Sequence, residues 1–315
     1  MQFFVHIPKT AGTSFRLAAE RQFSKKRVVY DYGPQSPVTS ECALAYLYDP
    51  EKADKAQFFE NCRKRDIRLI AGHKPASRFV HGVGVQNIIT FVREPLERAF
   101  SGYLHLRRNG RFNGTFREYF TDPMQTNTHA RMLGRISHRA LGFVGITEHY
   151  QSSLRLINQH YGWRLRKKHV NRSRFYEPGL ESVSQEDREA FQALNRADFM
   201  IYEDACWWFE SRRELERQHA PFAHGQVDSA EDGTIRGWAW WAAGCEKPVE
   251  IEISINGEPV KTVAADKLQK RWANRGAPAA GHVGFVARVS KMTGNRIICR
   301  IKKTGQPLNQ KPLSM

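Results

Sequence analysis

Short apolar runs alternate with amphipathic helical patterns along the first two thirds of the chain. The strand-like runs are Gln2–Ile7, Ile67–Ala71, Asn87–Val92 and residues 199–202, and the helical patterns are Ser14–Phe23, residues 94–108, His149–Tyr161 and Asp204–His219. The run NIITFV at 87–92 is β-branched and uninterrupted, which is typical of a central strand in a parallel sheet. This alternation of strands and helices predicts an α/β fold with a parallel sheet.

After residue 225 the pattern changes to strands and turns. Residues 249–255 alternate apolar and polar positions before Asn256-Gly257, a strong signal for a two-residue hairpin turn. We therefore predict an α/β domain at 1–220 and a small all-β domain, a β-sandwich, at 226–315. Trp238 and Trp240 share one face of a predicted strand, so we expect core packing, although aromatic faces also stack on sugars.

The chain has 315 residues, enough for two domains, and a formal net charge of +17. Such a charge favours anionic ligands (a nucleotide, a polyanion, nucleic acid or an anionic membrane surface) without choosing among them. The five cysteines are scattered without a CxxC pair, so neither a zinc site nor a disulfide framework is predicted. Because the sequence lacks both an apolar run of about 18 residues and a signal-peptide pattern, we expect a cytoplasmic protein.

The stretch HIPKTAGTS at 6–14 joins the first predicted strand to the first predicted helix. Backbone N–H groups at a helix start have no intrahelical acceptor, and the helix dipole adds positive charge, so such a turn suits a phosphate. Gly12 permits close approach of an anion, and Lys9 supplies a mobile charge. The lysine precedes the glycine, unlike in the nucleotide pattern GxxxxGK[ST], which disfavours an ordinary ATPase or GTPase. A capped helix beside a solvated lysine explains the residues equally well.

The stretch TFVREPLERAFSGYLH at 90–105 places Arg93 at a strand end and Ser101 on the following helix. An arginine fork grips a phosphate, and a nearby serine adds a hydrogen bond. Ligands of open α/β sheets bind beyond the carboxyl ends of the strands, so the two stretches predict a site for two phosphates of one nucleotide. Alternatively, Arg93 pairs with Glu97 and Ser101 has no role; Glu94 is expected to orient Arg93.

Together the two stretches resemble the carbohydrate sulfotransferases related to the heparan sulfate 2-O-sulfotransferase group, which use 3′-phosphoadenosine-5′-phosphosulfate (PAPS). The resemblance extends over about residues 2–215 and includes LIAGHKP (69–75), GITEHYQSSLRLI (145–157) and ADFMIYEDACWWF (197–209). It implies a P-loop-like, three-layer sulfotransferase domain. The segment that follows looks like β modules attached to bacterial glycan-modifying enzymes.

The resemblance also implies which residues bind PAPS and the product adenosine 3′,5′-bisphosphate (PAP). The first stretch would hold the 5′-phosphosulfate, with Lys9 as its main cation, and Arg93 and Ser101 would hold the 3′-phosphate. The full predicted set is Pro8, Lys9, Thr10, Ala11, Gly12, Thr13, Ser14, Arg93 and Ser101. No metal-ligand pattern is found in the sequence, and the resemblance implies that none is needed.

Sulfonate transfer requires a base for the acceptor hydroxyl and a cation for the charge on the leaving phosphate. Lys9 is the candidate cation. His73 is the candidate base: it follows an apolar run at a predicted strand end, its ordinary pKa near 6.5 suits the task, and the resemblance implies a catalytic histidine after this glycine. A loop histidine bonded to the backbone is the other interpretation. His129 and His105 are alternative bases, with His105 expected on the surface.

Segment 123–139 resembles the acceptor side of the family, and Asn127 and Arg131 are its candidate substrate-binding residues. Their spacing of four places them on one face of a helix. Arg135 and Arg139 continue the spacing and would line a groove for an anionic sugar chain; a solvated basic face is an equal alternative. Arg172 or Ser173 is a further candidate for the nucleotide site.

The sequence therefore predicts a bacterial PAPS-dependent sulfotransferase for a carbohydrate or glycolipid hydroxyl, anionic acceptors included, with neither a metal nor a nucleic-acid partner. Peripheral contact with the inner face of a membrane fits the same charge. A nucleotide-dependent kinase is the first alternative, but it needs carboxylates for magnesium, and neither stretch supplies a convincing pair. A non-catalytic polyanion-binding protein is the second, and it would bind DNA or heparin with steep salt dependence.

Overall fold

The computed structural model describes residues 1–51, 53–166, 179–244, 247–289 and 296–314. The chain forms two compact units. The first consists of Met1–Gly82, Asn87–His138 and Phe143–Cys206, and the second of Val83–Gln86, Arg139–Gly142 and Trp207–Met315. Among the described residues, no helix combines the length and the apolar character that crossing a membrane requires.

A five-stranded parallel sheet forms the centre of the first unit. Its strands are β1 (Gln2–Val5), β2 (Val28–Tyr30), β3 (Leu69–Gly72), β4 (Ile88–Val92) and β5 (Phe143–Ile146), in the order β2-β3-β1-β4-β5. Phe4 of β1 pairs with Ala71 on one side and Ile89 on the other. The strands are almost entirely buried, as parallel strands covered on both faces must be. The predicted α/β fold is confirmed.

Helices cover both faces of this sheet. The helices that the structure describes up to residue 217 are α1 (Gly12–Phe23), α2 (Glu41–Leu47), α3 (Lys55–Lys64), α4 (Val80–Val83), α5 (Pro95–Arg108), α6 (Phe116–Thr121), α7 (Thr128–Leu133), α8 (Tyr150–Tyr161), α9 (Gln185–Leu194) and α10 (Arg196–Arg217). On one face Phe4 contacts Phe15 of α1, with ring centroids 4.4 Å apart. On the other, Phe3 contacts Phe79 at 4.8 Å, and Phe79 stacks on Phe58 of α3 at 5.7 Å. Because neighbouring strand residues point to opposite faces, the unit has three layers.

Residues 199–202, predicted as a strand, lie within α10, so that prediction is wrong. A four-residue apolar run has no period of its own, and the buried positions around it follow helical spacing: Asp198, Ala205, Phe209 and Arg212. The sequence pattern also missed β2 and β5, which have only three and four residues.

Two four-stranded antiparallel sheets form the second unit. The strands are β6 (Ala223–Glu231), β7 (Thr234–Trp241), β8 (Glu250–Ile255), β9 (Glu258–Ala264), β10 (Lys267–Leu268), β11 (His282–Arg288), β12 (Arg296–Ile301) and β13 (Leu313–Ser314), with the short helix α11 (Lys270–Ala273). The orders are β10-β11-β7-β6 and β13-β12-β8-β9. Ile235 and Phe285 of one sheet share a buried core with Ile253 and Cys299 of the other, as in a β-sandwich. The predicted all-β C-terminal fold is confirmed.

The predicted hairpin joins β8 to β9. Asn256 (φ 51°) and Gly257 (φ 96°) both adopt positive φ, as a tight hairpin turn requires. Trp238 and Trp240 are 0% and 4% exposed, and their rings stack 4.5 Å apart beside Trp272. The expectation that these tryptophans pack in a core is confirmed.

Candidate functional site

The strand order of the parallel sheet reverses between β1 and β4. The chain leaves β1 toward β2 on one side of the sheet, and it leaves β4 toward β5 on the other. In open α/β sheets such a reversal opens a crevice beyond the carboxyl ends of the two strands, where ligands bind. The loops after β1 and β4 carry HIPKTAGTS and REPLERAFS, so the topology brings the two stretches to one edge.

The loop after β1 is held in an unusual backbone conformation. Lys9 (φ 68°) and Ala11 (φ 61°) are both left-handed, which costs about 1 kcal/mol or more for a residue with a Cβ and is frequent at functional sites. Thr10 is buried, and its hydroxyl donates to the carbonyl of Ile7 at 2.9 Å. Left-handed residues on either side of Thr10 match the backbone pattern of anion-binding nests, so this loop is a candidate for one.

Helix α1 begins at Gly12 without a side-chain cap. Its first N–H groups therefore face the loop without the hydroxyl or carboxylate that satisfies many helix starts, and the helix dipole adds positive charge there. Thr13 is exposed and Ser14 partly exposed, and neither hydroxyl caps the helix start, whose N-cap position is Ala11. The alternative interpretation of this stretch was a helix capped by a side chain. The first turn of α1, which the structure describes in full, has no such cap.

Gly12 is needed for a reason that the sequence did not suggest. A Cβ at this position would lie 2.0 Å from Cδ2 of His6, so the ring of His6 occupies the space of a side chain. Glycine thus serves both close approach to the loop and the packing of His6 against the start of α1.

Arg93, at the end of β4, reaches back to the first loop. Its Nη1 lies 3.5 Å from the carbonyl oxygen of Lys9, and its Nη2 donates to Oε2 of Glu97 at 3.0 Å. The ion pair with Glu97, the alternative interpretation of Arg93, is therefore present, and it holds the guanidinium at the crevice with 27% of the side chain exposed. Ser101 follows Glu97 by four residues, so it lies one turn further along the same face of α5.

Glu94 does not orient Arg93, contrary to expectation. Its carboxylate caps α5 by accepting the N–H of Glu97 at 2.6 Å, and its own N–H donates to Glu148. Burial raises the pKa of Glu94, which the hydrogen bonds from the helix start oppose. Glu97 performs the orienting role instead.

His73 lies directly after β3, on the same edge of the sheet. Its Nδ1 is 2.6 Å from the backbone carbonyl oxygen of His6. A carbonyl oxygen only accepts, so Nδ1 carries the proton and Nε2 keeps the lone pair. The backbone hydrogen bond of the other interpretation is thus present, and it leaves Nε2 as a proton acceptor.

Two aromatic rings flank His73. The ring centroid of His6 is 4.4 Å away and that of Tyr32 is 4.8 Å away. The side chain keeps exposed surface, but the loss of hydration lowers the pKa of His73 below its ordinary value of 6.5. The hydrogen bond to His6 raises this pKa, whereas the positive charges of Arg16 and Lys74 lower it. His73 is therefore neutral at pH 7, as a general base must be.

Sequence reasoning missed the residues that β2 brings to this edge. Tyr32 and Asp31 follow β2, and Arg16 of α1 lies 6.0 Å from the ring of Tyr32. Asp31 is fully buried, accepts from Tyr48 at 2.5 Å and pairs with Lys74 and Arg78 at 3.9 and 3.6 Å. The sequence VVYDYG at 28–33 is the only local indication of this strand, and β2 comprises just its first three residues.

The expected basic face at 127–139 is not observed. Asn127 precedes α7 in a left-handed conformation, and its side chain donates to the carbonyl of Leu194 at 2.9 Å. Arg131 is on α7 and donates to Met124. The helix ends at Gly134, so Arg135 and Arg139 lie outside it and share no helical face with Arg131. The substrate-binding role of Asn127 and Arg131 stays a prediction.

The alternative bases differ sharply in access. His129 is fully buried, with Nδ1 3.4 Å from the buried carboxylate of Asp198, and burial lowers its pKa well below 6.5. An acceptor cannot reach it. His105 is on the exposed side of α5, as expected. Arg172 and Ser173 lie outside the described residues.

No protein-family model and no curated protein matches the chain. Among solved structures, it is similar to the "Crystal Structure of Sulfotransferase from Alicyclobacillus acidocaldarius", with 16% sequence identity and a TM-score of 0.37, covering 64% of this chain and 94% of that chain.

Proposed function

We propose that the protein is a PAPS-dependent sulfotransferase that transfers a sulfonate to a hydroxyl of a carbohydrate or glycan. One observation carries the proposal: the loop around Lys9, the guanidinium of Arg93 and the imidazole of His73 lie at the carboxyl edge of a single sheet. Two candidate anion-binding groups and a neutral imidazole in one crevice suit a donor with two phosphate groups and an acceptor that must lose a proton.

In the proposed reaction, the acceptor oxygen attacks sulfur while Nε2 of His73 takes the hydroxyl proton. The new oxygen–sulfur bond forms as the bond between sulfur and the bridging oxygen of the 5′-phosphate breaks, and PAP leaves with the electron pair. Lys9 and the N–H groups at the start of α1 stabilise the charge gathered on this phosphate. Arg93 and Ser101 hold the 3′-phosphate and fix the adenosine, so positioning supplies much of the rate.

A kinase would use the same crevice with magnesium between phosphates and carboxylates. The two acidic side chains of the second loop already have partners, because Glu94 caps α5 and Glu97 pairs with Arg93. These contacts favour the sulfotransferase proposal, which needs no carboxylate at the phosphates. Cys42, Cys62 and Cys299 are free thiols, which fits the proposed reducing, cytoplasmic location.

The direct test is incubation of the protein with sulfur-radiolabelled PAPS and a panel of neutral glycans, anionic glycans, glycolipids and tyrosine peptides. We expect label transfer to a glycan or glycolipid, unaffected by EDTA, and calorimetric binding of PAP. Magnesium-dependent phosphate transfer from ATP would identify a kinase instead. Binding to heparin or DNA without any PAP binding would identify a polyanion-binding protein.

The activity should depend on pH through the neutral form of His73. Because the pKa of His73 is lowered, kcat/KM should be flat between about pH 7 and 8 and should fall on acidification only below 6.5, as the base is protonated. A pH–rate profile with saturating donor measures this. A fall that begins above pH 7 would contradict the assigned base.

The same experiment needs a stability control. His6 and His224 are buried and their pKa values are lowered to about 3, so the unfolded chain binds protons below pH 6.5 that the folded chain does not. The free energy of unfolding therefore decreases as pH falls below 6.5. Circular dichroism at each pH identifies the range in which loss of rate does not reflect unfolding.

A further inference from the structure

One side chain, His6, touches both halves of the proposed catalytic apparatus. Its ring packs against Gly12 at the start of α1, where an added Cβ would lie 2.0 Å from it. The ring of His73 lies 4.4 Å away on the other side, and Phe4 stacks at 5.5 Å. His6 thus fills the space between the proposed phosphate loop and the proposed base.

His6 is itself held by Tyr32. The phenol oxygen of Tyr32 lies 2.8 Å from Nδ1 of His6, across 26 residues of sequence. The backbone N–H of Tyr32 donates to the hydroxyl of the buried Thr39 at 3.1 Å, which anchors the segment after β2. The ring of Tyr32 also meets that of His73 nearly edge-on, at an interplanar angle of 83°.

His6 is poorly suited to act as the base itself. It is 7% exposed, and its Nδ1 is already engaged by Tyr32. Burial, with His73 and Arg16 nearby, lowers the pKa of His6 to about 3, so it stays neutral and is a weak proton acceptor. Its geometry fits a supporting role better, because its backbone carbonyl and its ring contact His73 at two points.

We infer that His6 is a positioning residue that fixes the tautomer and ring orientation of His73. The hydroxyl of Tyr32 in turn fixes the ring of His6 through their hydrogen bond. The inference rests on the proposed function. The carbonyl of His6 holds the proton on Nδ1 of His73, and the two flanking rings fix the direction of Nε2. A base turned away from the acceptor loses the benefit of its proximity.

The substitution Tyr32→Phe removes the hydroxyl and keeps the ring. We expect kcat to fall about 10- to 100-fold, since a small misplacement of a catalytic group has effects of this size, while KM for PAPS and Kd for PAP stay within about twofold. His6→Asn keeps a polar group near the Tyr32 hydroxyl and removes the ring beside His73, and it should lower kcat similarly. Tyr161→Phe, which removes a hydroxyl on α8, is the matched control and should leave kcat unchanged.

A double-mutant cycle separates positioning from a merely structural role. In a His73→Ala background, Tyr32→Phe should have no further effect on the residual single-turnover rate, because the group that it positions is gone. An equal loss in both backgrounds would overturn the inference. So would a wild-type kcat for Tyr32→Phe.

The pH profile provides a second readout. His73 faces His6, Tyr32 and Arg16 from other elements and Lys74 from its own segment. Replacing the ring of His6 by asparagine hydrates His73, so the acid limb of kcat/KM should move up toward pH 6.5. An unmoved limb would overturn the inference.

The two proposals fail in distinguishable ways. If His73→Ala is inactive and Tyr32→Phe is fully active, only the positioning role of His6 and Tyr32 is wrong. If the wild-type protein neither binds PAP nor transfers sulfonate, the proposed function is wrong, and the inference fails with it.

Discussion

His73→Ala should lower kcat for sulfonate transfer by about 10²–10⁴-fold, the range typical of a lost general base. The Kd for PAP should stay within about twofold, since His73 contacts the carbonyl and ring of His6 and the ring of Tyr32, and neither residue is a proposed phosphate ligand. Alanine leaves no group to take the acceptor proton, so the acid limb of the pH–rate profile should also disappear. Single-turnover rates with radiolabelled PAPS and calorimetry with PAP measure the two quantities.

A histidine elsewhere serves as the matched control. His282 is exposed on β11, and its Nδ1 lies a long 3.3 Å from the carbonyl oxygen of Asp266, so His282→Ala should leave both quantities at the wild-type values. Full activity of His73→Ala would assign the base to another residue. Loss of PAP binding together with activity would indicate that His73 supports the donor site or the fold rather than proton transfer.

The proximity of the two stretches proposed to bind phosphate could be anticipated from the sequence, because it depends only on the topology of the sheet. Gln2–Ile7 and Asn87–Val92 are long, apolar and β-branched or aromatic, which makes them recognisable as buried parallel strands. Parallel strands end at the same edge, so whatever follows them is brought together. Lys9 and Arg93 were placed correctly at this edge for that reason, although their roles stay predictions.

The surroundings of His73 could not be anticipated in the same way. They depend on β2, which has three residues, too few for a period of two to be distinguished from a short loop. Without β2, nothing connects Tyr32 or Asp31 to residues 67–73. The packing of His6 against Gly12 could not be predicted from the sequence either. A glycine in a sequence indicates backbone freedom, and nothing local shows that a ring from another segment fills the space of its missing side chain.

The error at 127–139 was avoidable. A spacing of four extends a helical face only while the helix continues, and Gly134 stands where a left-handed residue ends α7 (φ 60°). Glycine at that position is the commonest helix stop. The predicted face therefore joined Arg131 and Arg135 across the end of α7, which Gly134 indicates in the sequence.

Lys9→Ala should weaken PAPS and PAP binding and lower kcat by about 10²–10³-fold, the size expected for loss of one group that stabilises developing negative charge. Alanine is the informative replacement because it retains a Cβ. The left-handed backbone of residue 9 (φ 68°) then keeps the same strain, and the contact of Arg93 with the carbonyl of residue 9 is preserved, whereas glycine would relax the loop. The measured loss therefore reports the ammonium group.

Lys64→Ala is the control for Lys9→Ala, since Lys64 is a lysine of α3 with 73% of its side chain exposed, paired with Glu60 at 2.7 Å. It lowers the net charge of +17 by the same single unit, so it should reproduce any general effect of charge on an anionic donor and nothing more. If Lys9→Ala has the same Kd and kcat as Lys64→Ala, Lys9 does not stabilise the leaving phosphate. A loss confined to Lys9→Ala and retained at high salt would mean that the ammonium acts at close range on the donor, because screening weakens only the distant field.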